Sequence, residues 1–153
     1  IVAVSNYYVG KAGPAQGESN DALDVRTFEW SENLEEWVIM GENLHGNSPG
    51  QKSGYFVTLS DDGLLMGMGD PGRRGEDEGA ITGHAHIYWY NGETWVQLGP
   101  NKYGDVTGDQ FGYSVAFSSD GRSFAVAAPY SRKNGGYAHG RVSIFDIDLD
   151  GYM

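Results

Sequence analysis

The chain has 153 residues, 39% of them apolar and 13% aromatic, with 24 glycines and no cysteine, and 21 acidic against 10 basic residues give a net charge of -11. That is the composition of a folding sequence rather than a disordered tail, and its charge has the wrong sign for a phosphate backbone, which is bound by Lys and Arg displacing counterions. Nucleic acid is therefore excluded as a partner, and the absence of cysteine excludes disulfides, thiolate catalysis and zinc held by thiolates.

In chain order, β-rich runs of strand length occur at Ile1 to Ser5, Val25 to Trp30, Glu36 to Gly41, Gly54 to Ser60, Leu65 to Gly69 and Ala85 to Tyr90. They continue at Thr94 to Gly99, Gly112 to Ser118, Phe124 to Ala128 and Arg141 to Ile147. No window carries a sustained apolar stripe at helical spacing with caps, so no helix is predicted. The longest apolar runs, such as Leu64 to Met68, fall far short of the roughly 20 residues a membrane helix needs. The chain opens on Ile1, with neither an initiator Met nor a signal peptide, and reads as processed, truncated or partial.

The runs repeat. Ser60-Asp61-Asp62-Gly63 is echoed by Ser118-Ser119-Asp120-Gly121, and Glu36-Trp37-Val38 by Thr94-Trp95-Val96, both at a spacing of 58 residues. With strand positions lettered A to D, the chain reads B-C-D, then A-B-C-D, then A-B-C. The expected units are residues 1-42, 54-99 and 112-153, about two and a half copies of a repeat of about 58 to 60 residues.

A-to-B turns on Asp-Gly and C-to-D turns on Asn91-Gly92 are tight hairpin signals, because Gly and Asn accept positive φ. The B-to-C and D-to-A connections are long and rich in glycine. In an up-and-down meander they share one end, which then carries all the elaborate loops. A four-stranded unit cannot bury both faces of its own sheet, and radial stacking of copies does so. The expected fold is all-β, four-stranded antiparallel blades of a β-propeller, with a two-sheet sandwich as the alternative.

Gly108-Asp109-Gln110-Phe111-Gly112 followed by Phe124-Ala125-Val126-Ala127-Ala128-Pro129 resembles the Phe-Gly and Gly-Ala-Pro signatures of FG-GAP repeats, as in integrin α-subunit propellers. In the preceding unit Ser53-Gly54 stands for Phe-Gly and Gly67-Met68-Gly69-Asp70 for Gly-Ala-Pro. The resemblance implies an extracellular or cell-surface, non-enzymatic module for adhesion, structure or recognition, with remaining blades outside this chain or in another. A protein or glycan ligand is expected on the face bearing the B-to-C and D-to-A loops, with no membrane insertion in this segment. Family blades often bind calcium in the A-to-B loop, but Asp61-Asp62-Gly63 and Ser119-Asp120-Gly121 offer too few oxygens. No cofactor is expected here, and calcium is assigned to blades outside the chain. Alternatives are a carbohydrate-binding propeller and a propeller hydrolase whose active site lies largely elsewhere.

Partner contacts are expected from Arg73, Arg74, Glu76, Asp77, Tyr130, Arg132 and Lys133, which combine both charge signs with an aromatic anchor on scaffolded loops. Asp146, Asp148 and Asp150 have the opening spacing of a calcium loop, against the plainer reading of a solvated strand end. His84 and His86, two apart on a strand, share a face, but with no third ligand in view they read as an exposed pair. Trp37 and Trp95 recur at one repeat position and read as packing between units rather than as a sugar platform. No catalytic residue emerges: there is no Gly-x-Ser-x-Gly elbow and no acid pair at a fixed separation.

Overall fold

The computed structural model describes residues 1–6, 24–45, 54–72, 81–132 and 136–150. Among them there is no helix, and the strands form three antiparallel sheets, each from strands consecutive in the chain. The first sheet orders β1 (Val2–Asn6), β2 (Asp24–Ser31) and β3 (Glu36–Ile39), with the two-residue β4 (Leu44–His45) also on β2. The second orders β5 (Phe56–Leu59), β6 (Leu65–Asp70), β7 (His84–Tyr90) and β8 (Trp95–Gln97), with β9 (Lys102–Tyr103) also on β7. The third is β10 (Ser114–Phe117), β11 (Ser123–Ala128) and β12 (Arg141–Asp146).

The all-β, helix-free prediction and the strand order B-C-D, A-B-C-D, A-B-C hold. The short β4 and β9 were not predicted. Both re-engage strand C after strand D has broken off, and in the second unit the break falls at Gly99-Pro100, where proline has no N–H for the ladder.

The sheets stack face to face in chain order. Val25 and Met40 of the first unit cluster with Met66, Met68 and Trp95 of the second. On its other face the second sheet gives Ala85 and Ile87 to a cluster with Phe111, Val115, Phe124, Val126 and Ala128 of the third unit. Every residue of β6 is consequently buried.

Trp95 ties the first two sheets by a polar link as well: its indole N–H donates to the Thr27 hydroxyl at 2.7 Å and to the Met40 carbonyl at 3.2 Å. Trp37, at the same repeat position, departs from the expected core role and is 51% exposed, edge-on to Trp30. The physical reason is that its face of the first sheet, with Val2, Val4, Trp30 and Ile39 also exposed, has no sheet against it among the described residues.

The ladders also correct the repeat register by one residue in strand B. Phe56 pairs with Gly69 and Ser114 with Ala127, so Gly69-Asp70-Pro71, not Gly67 to Asp70, stands where the third unit has Ala127-Ala128-Pro129. Asp70 thus occupies the place of a buried alanine.

The Phe-Gly pair has a definite mechanical role. The Phe111 amide donates to the Thr82 carbonyl at 3.0 Å and Gly83 bridges Phe111 in parallel, so the third unit is stitched to the second at its first residues. Gly112 has φ +89, and a β-carbon there would lie 2.2 Å from the His84 carbonyl oxygen and 2.8 Å from the Asp70 nitrogen. Only glycine lets the backbones come this close.

The A-to-B turns repeat in atomic detail. The Ser60 hydroxyl donates to Asp62 Oδ1 at 2.6 Å and Ser118 to Asp120 Oδ1 at 2.6 Å, and each aspartate oxygen also accepts a backbone N–H, from Leu64 and Arg122. These aspartates are spent on holding their own hairpins. At Asp120 the Ser118 hydroxyl foremost, then the Arg122 N–H, holds the carboxyl below the usual aspartate range.

Candidate functional site

The strand directions place the B-to-C and D-to-A connections at one end of the stack. Arg73, Arg74, Glu76, Asp77 and Lys133 lie outside the described residues. Tyr130 is 52% exposed, and Arg132, also exposed, forms an antiparallel bridge with Ala138.

In the third unit the two kinds of loop brace each other. The buried Asp109 accepts through Oδ2 from the Val106 N–H and from the Ser131 hydroxyl, both at 3.3 Å, while the Tyr130 amide donates to the Asp109 carbonyl at 3.3 Å. The Arg141 guanidinium, partly exposed, pairs with Asp105 across the same junction. Tyr130 is thereby displayed on a fixed base.

Sequence reasoning missed Tyr55 and Tyr113. Each follows a positive-φ glycine at the loop end of strand A, each is 43% exposed, and their rings lie 6.0 Å apart. Their spacing of 58 residues, equal to the repeat, was the available signal.

Asp146, Asp148 and Asp150 are exposed at alternate positions rather than gathered round a point. Asp148 accepts the Asp150 N–H at 3.0 Å, a turn contact, and Asp146 and Asp148 line a groove between the second and third sheets with Lys102 and Phe145.

One set of three metal-competent side chains converges among the described residues: Asp70, His84 and His86, with ligand atoms all within 4.8 Å of one another. Here the expectation of an exposed histidine pair is overturned, since His84 is 0% and His86 6% exposed. The third member comes from the neighbouring strand. Asp70 is the last residue of β6 and pairs directly with His84, the first of β7, while His86 lies two residues on along the same face. That face packs towards the first sheet, where Met66 and Met68 continue it into the apolar cluster.

His84 Nε2 lies 3.0 Å and His86 Nε2 3.4 Å from Asp70 Oδ2, and the His84 ring packs against His86 and Tyr103. Neither oxygen of Asp70 and neither ring nitrogen of His84 makes a hydrogen bond of ordinary geometry. The third unit carries Ala128, Arg141 and Ser143 at the matching register positions. No family model and no curated protein matches the chain.

Proposed function

We propose that the chain is a run of FG-GAP-like propeller blades serving as a non-enzymatic recognition module at the cell surface or outside the cell, its partner meeting the loop end. The observation that carries this reading is the concentration of exposed tyrosines there: Tyr55, Tyr113, Tyr130 and Tyr137. Tyrosine combines a large rigid contact area with a polar tip, and rigidly carried loops are where binding concentrates. The three face-to-face sheets of consecutive strands support the propeller part. The non-enzymatic part is supported by the burial of Asp70, His84 and His86, the acid and imidazole cluster found among the described residues.

The repeat-related Tyr55–Tyr113 pair, its rings 6.0 Å apart and tilted at 46° against each other, forms one aromatic patch that suits a protein ligand, with a glycan as the second reading. The exposed Trp30 and Trp37 do not bear on it, since they lie on the sheet face rather than among the loops. The test is a glycan array run beside an array of extracellular protein domains. Tyr130→Ala with Arg132→Ala is expected to weaken the binding found by roughly 1–3 kcal/mol with stability almost unchanged. Binding that survives this change but is abolished by turn substitutions at Asp62 or Asn91, in a chain that still folds, would place recognition at the opposite end.

A further inference from the structure

The geometry points to a divalent transition-metal site of the zinc type at Asp70, His84 and His86, fastening β6 to β7 at the loop end, and we propose that this chain binds such an ion there. The inference stands independently of what the loop end recognises.

The cost of the bare cluster is the first argument. A carboxylate in an apolar surround is expensive unless it is paired and hydrogen-bonded, and Asp70 sits at 0% exposure at a position where the third unit has Ala128 and the first Asn6. At the matching register positions the third unit has Ala128, Arg141 and Ser143 and the first Asn6, Asp24 and Arg26, whereas Asp70, His84 and His86 of the second meet at one point.

Geometry is the second. A His84 nitrogen only 3.0 Å from Asp70 Oδ2 is close enough for a hydrogen bond, yet its N–H direction misses the oxygen. Two donors that share a third atom between them stand in this relation. Metal bonds of about 2.0–2.2 Å in a tetrahedral shell put adjacent donors roughly 3.3 Å apart, and the observed separations are 3.0 and 3.4 Å. Asp70 Oδ2 and the two imidazoles thus supply three protein ligands, and a water completes the tetrahedral shell.

Donor chemistry selects the ion. Two imidazole nitrogens and a carboxylate suit zinc, cobalt and their first-row neighbours, whereas calcium requires six to eight oxygens. The flanking Tyr103 and Tyr88 rings and the Met66 and Met68 side chains keep the surround apolar, which strengthens attraction between the ion and Asp70.

The test is titration of the folded 153-residue chain with Co2+ as the spectroscopic probe, followed by competition with Zn2+ and Ca2+. One equivalent of Co2+ is expected to give visible d–d bands that Zn2+ removes at 1:1 and millimolar Ca2+ leaves untouched. Asp70→Asn and His84→Gln are each expected to weaken binding by more than about 100-fold, above the 10–100-fold loss seen when only an outer partner is removed. Because both positions are fully buried, a second measurement uses the wild-type chain alone: X-ray absorption of the zinc-loaded protein, with two imidazoles and oxygen donors expected. A folded chain that takes up neither Co2+ nor Zn2+ at millimolar concentration overturns the proposal. So does a zinc shell with fewer than two imidazoles, or uptake that both variants leave intact, which would move the ion away from this cluster.

Discussion

Gly112→Ala and Gly108→Ala form a matched pair, because the two glycines have φ of +89 and +88 and differ only in what surrounds them. At Gly108 a new β-carbon meets nothing within 4 Å, so the substitution costs only the left-handed backbone, about 1–2 kcal/mol. At Gly112 the same cost is joined by a β-carbon 2.2 Å from the His84 carbonyl oxygen. Relief requires the second and third sheets to part by about 1 Å, and overpacking of this kind adds roughly 1–3 kcal/mol. The expected difference between the variants is therefore about 2 kcal/mol. In equilibrium urea unfolding, with a slope near 2 kcal/mol per molar, that separates the midpoints by about 1 M. Equal losses would refute the reasoning: Gly112 would then be required for its backbone angle alone, and the close approach of the sheets would carry no energetic weight.

Trp95→Phe is expected to destabilise by about 1–2 kcal/mol through loss of the indole link to Thr27 and Met40, while Trp37→Phe, on an exposed face, should cost under about 0.5 kcal/mol in thermal unfolding. Asp120 titrates lower in the folded chain than in the unfolded one, so its stabilising contribution is present above about pH 3.9 and is lost as pH falls through the lowered folded value. Ser118→Ala removes the leading cause, and NMR titration of the Asp120 carboxyl should show it moving back towards the ordinary value; no movement would mean that the Arg122 N–H carries the effect.

Strand positions were legible because two unrelated strings, one on a turn and one around a tryptophan, agreed on a single spacing. Tight turns were legible because Asp-Gly and Asn-Gly announce positive φ. The metal-competent cluster was not, for a register reason. With strand B shifted by one residue, Asp70 fell outside the aligned strand, so its pairing with His84 was invisible and the histidines lacked a third partner. At the correct offset Asp70 would have stood opposite His84, a carboxylate beside two imidazoles on one face, and marked the site. Trp37 was misjudged differently: repeat position told correctly which face it occupies, but burial depends on whether another sheet covers that face. Tyr55 and Tyr113 were passed over as ordinary strand residues, although their recurrence beside a repeated glycine at an exposed strand start distinguishes them.

The consecutive-strand construction of the three sheets bears on how the chain acquires its structure. Among the described residues every ladder closes a loop within one repeat and the seams join adjacent repeats, so few contacts must wait for distant parts of the sequence to meet. Such a chain pays little loop-closure entropy before contacts begin to offset it, and can start from any sufficiently complete repeat and extend to its neighbours. The second unit has all four strand positions and is buried on both faces at β6, which makes it the natural nucleus. The flanking sheets then assemble on it as on a template, and local opening should begin at the outward faces carrying Trp37 and Ile144.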